Sequence, residues 1–428
     1  MKSLSLNSIC VAGLLAVLAM PVLLVAQEQS ATHEQKPTPT RLKITHVGPR
    51  DRNGAQSVRY TIQDLGVVAT NPTQPGQPFV ISNGGWVSGG ADVGAALHAV
   101  LWRGGKMTDI GNPGLGGNSM AFGVNEWGLT VGEAENTSSG LSTTEDFCGF
   151  QFMGYSSSPT PCVPFISNQS KMVPLKTLGG LNGVANQINI WGAIAGYAEN
   201  TTEDSGCTAP QVYQFKPAVW FGNLIQALPT GSDSEGVAFS INDLGQVVGT
   251  SGSCGPFNPI WLFNLSPVHA LLWQNGVRTD LGTLGGVANN MAHGINNLGQ
   301  VVGGSDLTGD ATTHAFLWTP QTRKMKDLGV VGSDFWSFGL GINDEGQIVG
   351  ASANADFSVL RAFVRQNGAL VDLNSLVEGT TVLFLETACS INSRGEIIGF
   401  AYDPNTSYTH AYLAIPHQSS RDRDSNDR

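Results

Sequence analysis

The chain has 428 residues, a net charge of −11, 54 glycines and 13% charged residues, about half the charge density of an ordinary globular protein. Its acidic balance is spread along the sequence and excludes a nucleic-acid partner, which requires a basic surface to displace counterions. Few charges and many glycines point to short strands joined by tight turns.

Lys2 precedes an apolar run from Ile9 to Ala26, broken only by Pro21 and followed by Gln27-Glu28-Gln29. This layout predicts a secretory signal over residues 1–26, with cleavage after Ala26. No later stretch is long and apolar enough to span a bilayer. The mature chain is therefore expected to be secreted, extracellular or periplasmic, with no membrane span. Residues 27–57, rich in Gln, Thr, Pro and Lys, read as a flexible linker. Residues 58–416 carry repeats, and the charged stretch 417–428 reads as a disordered tail.

One motif recurs seven times: an aliphatic residue, usually Asn, two variable residues, Gly, three mostly apolar or Gln-led residues, and Gly. Clear copies start at Ile241, Ile295, Ile342 and Ile391, and worn copies at Ile81, Val124 and Ile188. The starts lie 43 to 64 residues apart, a period that means a solenoid or a propeller. Between them falls His-Ala-Phe-Leu-Trp or a variant, as at His98, His269, His314 and His410, with Pro217 and Arg361 in the same place. Asp-Leu-Gly follows, as at Asp280 and Asp327.

Each unit reads as four strands. The first ends at Ile-Asn, and Asn-x-x-Gly makes a hairpin turn in which Gly takes positive φ. The second (Gln-Val-Val-Gly) and third (Ala-Phe-Leu-Trp) are continuous apolar runs, as expected of strands covered on both faces. The fourth carries Asp-Leu-Gly. Four strands per unit match a propeller blade, so the fold expected is an all-β propeller of seven four-stranded blades. The seventh unit stops at Leu413 without a fourth strand, while a spare copy, Tyr60 to Gly66, precedes the first. The N-terminal strand is expected to complete the last blade.

After the leader five cysteines remain. Cys148 and Cys162 lie within one insertion, and Cys207 and Cys254 in equivalent loops of neighbouring units. Export permits disulfides, so Cys148–Cys162 and Cys207–Cys254 are expected, with Cys389 left reduced. No CxxC pair supports a zinc or redox site, and neither metal nor cofactor is expected.

His314-Ala315-Phe316 and Asp280-Leu281-Gly282-Thr283-Leu284-Gly285-Gly286 resemble the HAF repeat, a family of extracellular bacterial repeats. The resemblance covers roughly residues 60 to 415. It implies export, a bacterial source and a repeat fold, and carries no activity.

Repeat positions make poor catalytic candidates, because each is needed in every blade. Function is expected where units depart from the repeat. Units two to four carry insertions between strands two and three, with aromatics (Tyr155, Tyr213, Phe257, Trp261) and carboxylates (Glu135, Glu199). They emerge on one face and would bind an extracellular glycan or peptide. The expectation is a monomeric, non-catalytic binding protein. A carbohydrate-active enzyme using the insertion carboxylates, which a glycosidase sets ~5–9.5 Å apart, is the alternative. A structural envelope protein is a second. No G-x-S-x-G, H-E-x-x-H or D-x-D-x-D-G motif is present.

Overall fold

The computed structural model describes residues 58–67, 78–94, 96–111, 115–137, 148, 160–207, 211–254 and 265–417. The expected leader and linker, residues 418–428, and Tyr155, Phe257 and Trp261 lie outside them. Seven antiparallel sheets follow one another around a ring, one per repeat. Blade five shows the pattern, with strands Gly285–Ile295, Val301–Leu307, Thr313–Trp318 and Met325–Asp327 in that order from the axis outwards.

The middle strands are apolar because they are covered twice. Thr130–Glu135 and Ile348–Ala353 are buried along their whole length. Each packed cluster is shared between neighbours: Val248, Ala270 and Leu272 of blade four pack with Ala292, Val301, Phe316 and Trp318 of blade five. The ring is thus held by wedges between blades as much as by the ladders within them.

Blade seven is completed from the other end of the chain. Arg59–Val67 pairs antiparallel with Tyr408–His417, in the register Tyr60 to Pro416, Ile62 to Ala414 and Asp64 to Tyr412. The motif chemistry is preserved across the junction. Within blades one and five, the His of the third strand donates from Nδ1 to the Asp of the fourth, His98 to Asp109 and His314 to Asp327, both at 3.0 Å. In blade seven His410 makes the same bond, at 2.9 Å, to Asp64 from the N-terminal strand. The two most recognisable motifs of the repeat are therefore one cross-strand pair.

The innermost strands carry a further device. The register of blades one to six slips by one residue at Phe79, Phe122, Asn186, Phe239, His293 and Leu340. These are β-bulges, which re-aim the extra side chain. Phe79, Asn186, Phe239, His293 and Leu340 line the central channel, and Cys389 of blade seven joins them.

The expected disulfides are formed: Cys148–Cys162 within blade two and Cys207–Cys254 between blades three and four. Cys389 departs from expectation. It is disulfide-bonded rather than reduced. It packs in a core cluster with Ile81, Val87, Ile398 and Phe400 while also reaching the channel wall, so packing alone gave no warning.

Candidate functional site

The antiparallel order puts the 1–2 and 3–4 turns of every blade on one face and the 2–3 loops and blade connections on the other. These are called here the turn face and the insertion face.

On the turn face the Asn of each Ile-Asn stitches two turns together. Its Oδ1 accepts from the backbone of its own turn, as Asn242 does from Leu244 N at 3.1 Å and Gln246 N at 2.9 Å. Its Nδ2 donates to the same Asn's carbonyl in the next blade. The links run Asn125 to Asn189 (3.1 Å), Asn189 to Asn242 (3.0 Å), Asn242 to Asn296, Asn296 to Asn343 and Asn343 to Asn392 (each 2.9 Å). Asn392 reaches Ser82 O at 3.3 Å. Ser82 has no amide to pass the ladder to Asn125; there Glu126 instead accepts from Asn83 N at 2.9 Å. The following residue forms a second belt: Asp243 accepts from Ile190 N at 3.1 Å, Asn297 from Asp243 N at 2.8 Å and Asp344 from Asn297 N at 2.7 Å. Buried backbone groups near the axis are thereby satisfied without water. The belts surround a channel cavity of about 240 Å³ lined by Asn189, Asn242, Asn296, Asn343, Phe239 and His293, among others.

The next turn position points outward. It holds Gly84, Trp127, Trp191, Leu244, Leu298, Glu345 and Arg394 in blades one to seven. Trp127, Trp191, Leu244 and Leu298 are 73%, 69%, 65% and 59% exposed, so four neighbouring blades present a large apolar side chain beside the channel mouth. The indoles are fixed in place: Trp127 Nε1 donates to Ile190 O at 3.2 Å and Trp191 Nε1 to Asp243 O at 3.0 Å, each in the next blade. Phe221, Leu224 and Val277, at the 3–4 turns of blades three and four, are exposed on the same face. Folding gains little from such residues, and a contiguous exposed apolar patch marks an interaction surface.

The residues singled out on the insertion face fare differently. Glu135 is buried and accepts from Asn118 N and Nδ2, both at 2.9 Å, and from Thr160 Oγ1 at 2.7 Å. Glu199, fully buried, accepts from Leu181 N at 2.6 Å and Asn182 N at 3.1 Å. Asp306 holds Asn289 in the same way in blade five. Each clamped Asn in blades two and three also accepts from the third strand of the preceding blade, Leu97 N to Asn118 at 3.0 Å and Cys162 N to Asn182 at 3.1 Å. In blade four Glu235 takes that Asn's place and accepts from Phe215 N at 2.8 Å. The carboxylates read as surface ligands are therefore stitches between blades, buried because their strands run further than the sequence suggested: Ala193–Glu203 continues well past Glu199. Tyr213 is half-buried, paired across from Glu203. Cys207, Cys254 and Glu235 cluster closely, but both sulfurs are committed to their disulfide.

Among the described residues, Glu133 and His293 bury ionisable atoms without a hydrogen-bond partner. Glu133 is 0% exposed with neither oxygen hydrogen-bonded. It follows the close-packed Gly132, the place held by Tyr197 and Phe400 in other blades. Burial pushes its carboxyl up to about 8. His293 Nε2 is likewise unpartnered, and burial pushes its imidazole down to about 4. For Glu133, stability is fully present below the unfolded carboxyl value, ~4.5, and is lost as pH rises through about 8. The loss accrues at about 1.4 kcal/mol per pH unit. Glu235, raised to about 8, and Glu386, raised to about 7, both chiefly by burial, act in the same sense. The depressed His293 acts oppositely, gaining stability as pH rises from about 4 towards its unfolded value. Glu133→Gln is expected to match the wild type near pH 5 and exceed it by several kcal/mol at pH 8 and above. Denaturant unfolding at pH 5, 6.5, 8 and 9 checks this; a pH-independent difference would refute it.

No family model matches the chain, and no curated protein matches it. Among solved structures, the β-propeller domain of the trilobed protease from Pyrococcus furiosus is similar at 10% identity and a TM-score of 0.39, covering 69% of this chain and 80% of that one. Dipeptidyl peptidase 4 from Porphyromonas gingivalis is similar at 9% identity and a TM-score of 0.39, over 76% of this chain and 50% of the peptidase. A putative gluconolactonase is similar at 12% identity and a TM-score of 0.30, over 60% of this chain and 81% of that one.

Proposed function

We propose that the chain is an exported, non-catalytic binding protein that holds its ligand on the turn face, beside the channel mouth. The observation that carries this is the arc of Trp127, Trp191, Leu244 and Leu298, exposed on turns that the Asn ladder has already made rigid. Binding on a pre-ordered surface avoids the entropic cost of fixing it. Export is supported by the apolar leader, by the resemblance to extracellular repeats and by two disulfides, which persist in oxidising compartments. A glycosidase using Glu135 and Glu199 is disfavoured, since both are buried and engaged in holding backbone amides.

The test is a combined glycan and peptide array probed with the mature chain, residues 27–428, followed by mass analysis of the bound ligand after incubation. Saturable binding with the ligand recovered intact is expected. Cleaved ligand, or no binding to either class, would contradict the proposal.

A further inference from the structure

We infer that the turn-face arc is a carbohydrate platform, with Trp127 and Trp191 stacking on successive sugar rings of a neutral glycan chain. This rests on the turn-face reading above and names its ligand class.

The indole N–H groups of Trp127 and Trp191 are spent on Ile190 O and Asp243 O in the next blade. Each ring is thereby locked and offers a partner its flat face and no donor. A rigid π-face with its negative quadrupole suits the C–H face of a pyranose. Glu126, next to Trp127 in the chain, and Asp243, whose carbonyl takes the Trp191 N–H, keep carboxylate lone pairs beyond their belt bonds for sugar hydroxyls. Leu244 and Leu298 continue the apolar surface along the same arc.

Other occupants fit less well. A peptide adds to a sheet through an unpaired strand edge, or docks as a helix in a groove. The turn face presents the ends of hairpins, and the backbone groups of those turns are already consumed within the turn and by the Asn ladder. A polyanionic chain would meet Glu126, Asp243, Asp344 and Glu345 on a protein of net charge −11, so the glycan is neutral.

The test is titration of the mature chain with cellohexaose, chitohexaose, laminarihexaose and mannohexaose, followed by indole fluorescence, with heparin as the anionic contrast. At least one neutral hexaose is expected to bind saturably and shift the emission to the blue, while heparin does not bind. Trp127→Ala and Trp191→Ala should each weaken that binding about tenfold, and the double variant should abolish it. Melting should fall only slightly in all three, because the rings are exposed and each loses one solvent-exposed inter-blade hydrogen bond. Hexaose binding that survives the double variant would overturn both this inference and the turn-face reading. No hexaose binding, with array peptides that bind the wild type and not the double variant, would overturn the carbohydrate assignment alone and leave the turn face standing.

Discussion

Replacing Gly303 with alanine is expected to destabilise the ring by about 3 kcal/mol or more. Gly299→Ala, four residues earlier in the same repeat, should cost only about 1 kcal/mol. The two motif glycines do different work. Gly299 sits in the turn at φ +72°, and a Cβ there would come no nearer than 3.3 Å, to the end of the Gln246 side chain. Its penalty is the left-handed backbone alone. At Gly303 an added Cβ would overlap the carbonyl oxygen of Met291 in the neighbouring strand. The bulge at His293 lies just beyond Met291. Backbone cannot swing aside as a flexible side chain can, so strand one must move and take its share of the blade wedge with it. The same overlap recurs at Gly132, Gly196, Gly249, Gly350 and Gly399, which explains why the motif ends in glycine. Denaturant unfolding of the two variants side by side checks the order; equal losses would show that the second glycine is a turn residue too.

Removing residues 27–66 from the mature chain should cost several kcal/mol and promote self-association. The deletion takes away the ladder between Arg59–Val67 and Tyr408–His417, the His410–Asp64 bond and the fully buried Tyr60. Burying an aromatic of that size contributes several kcal/mol, and each ladder bond about one more. The bond from Arg59 Nη1 to Ser375 O, at 2.9 Å, also ties this strand to the connection leaving blade six. What is left is a long unpaired edge at Tyr408–His417, which invites pairing with another chain. Thermal melting together with sedimentation reads both effects. A truncated chain that melts with the intact one and stays monomeric would mean that the ring closes without its N-terminal strand.

The blades and their closure were legible because they are written in composition. A continuous apolar run means a strand covered twice, and a missing fourth copy at one end matched a spare at the other. The pairing of His314 with Asp327 was half visible: both residues stood out, but nothing in the spacing said that they face each other across a hairpin. The bulges were not legible, since Phe79, Asn186, His293 and Leu340 share a geometry and no residue type. That blindness hid the channel lining. Glu135 and Glu199 misled because a carboxylate at the start of a polar insertion reads as exposed. The residues that bury them, Asn118 and Asn182, stand 17 positions earlier, in the blade connection. Trp127 and Trp191 were in plain view at a variable turn position. Loop length gives no sign of them; their only mark is a large aromatic at a position that must face solvent.

Two sets of alanine variants, compared against the same array-selected ligand, decide whether ligand is held on the turn face. One set replaces Trp127, Trp191, Leu244 and Leu298; the other replaces Tyr155, Tyr213 and Trp261 in the insertions. The first set is expected to lose binding with only a slight fall in melting temperature, while the second keeps wild-type affinity. Binding that survives the first set and fails with the second would place the ligand among the insertions and contradict the turn-face reading.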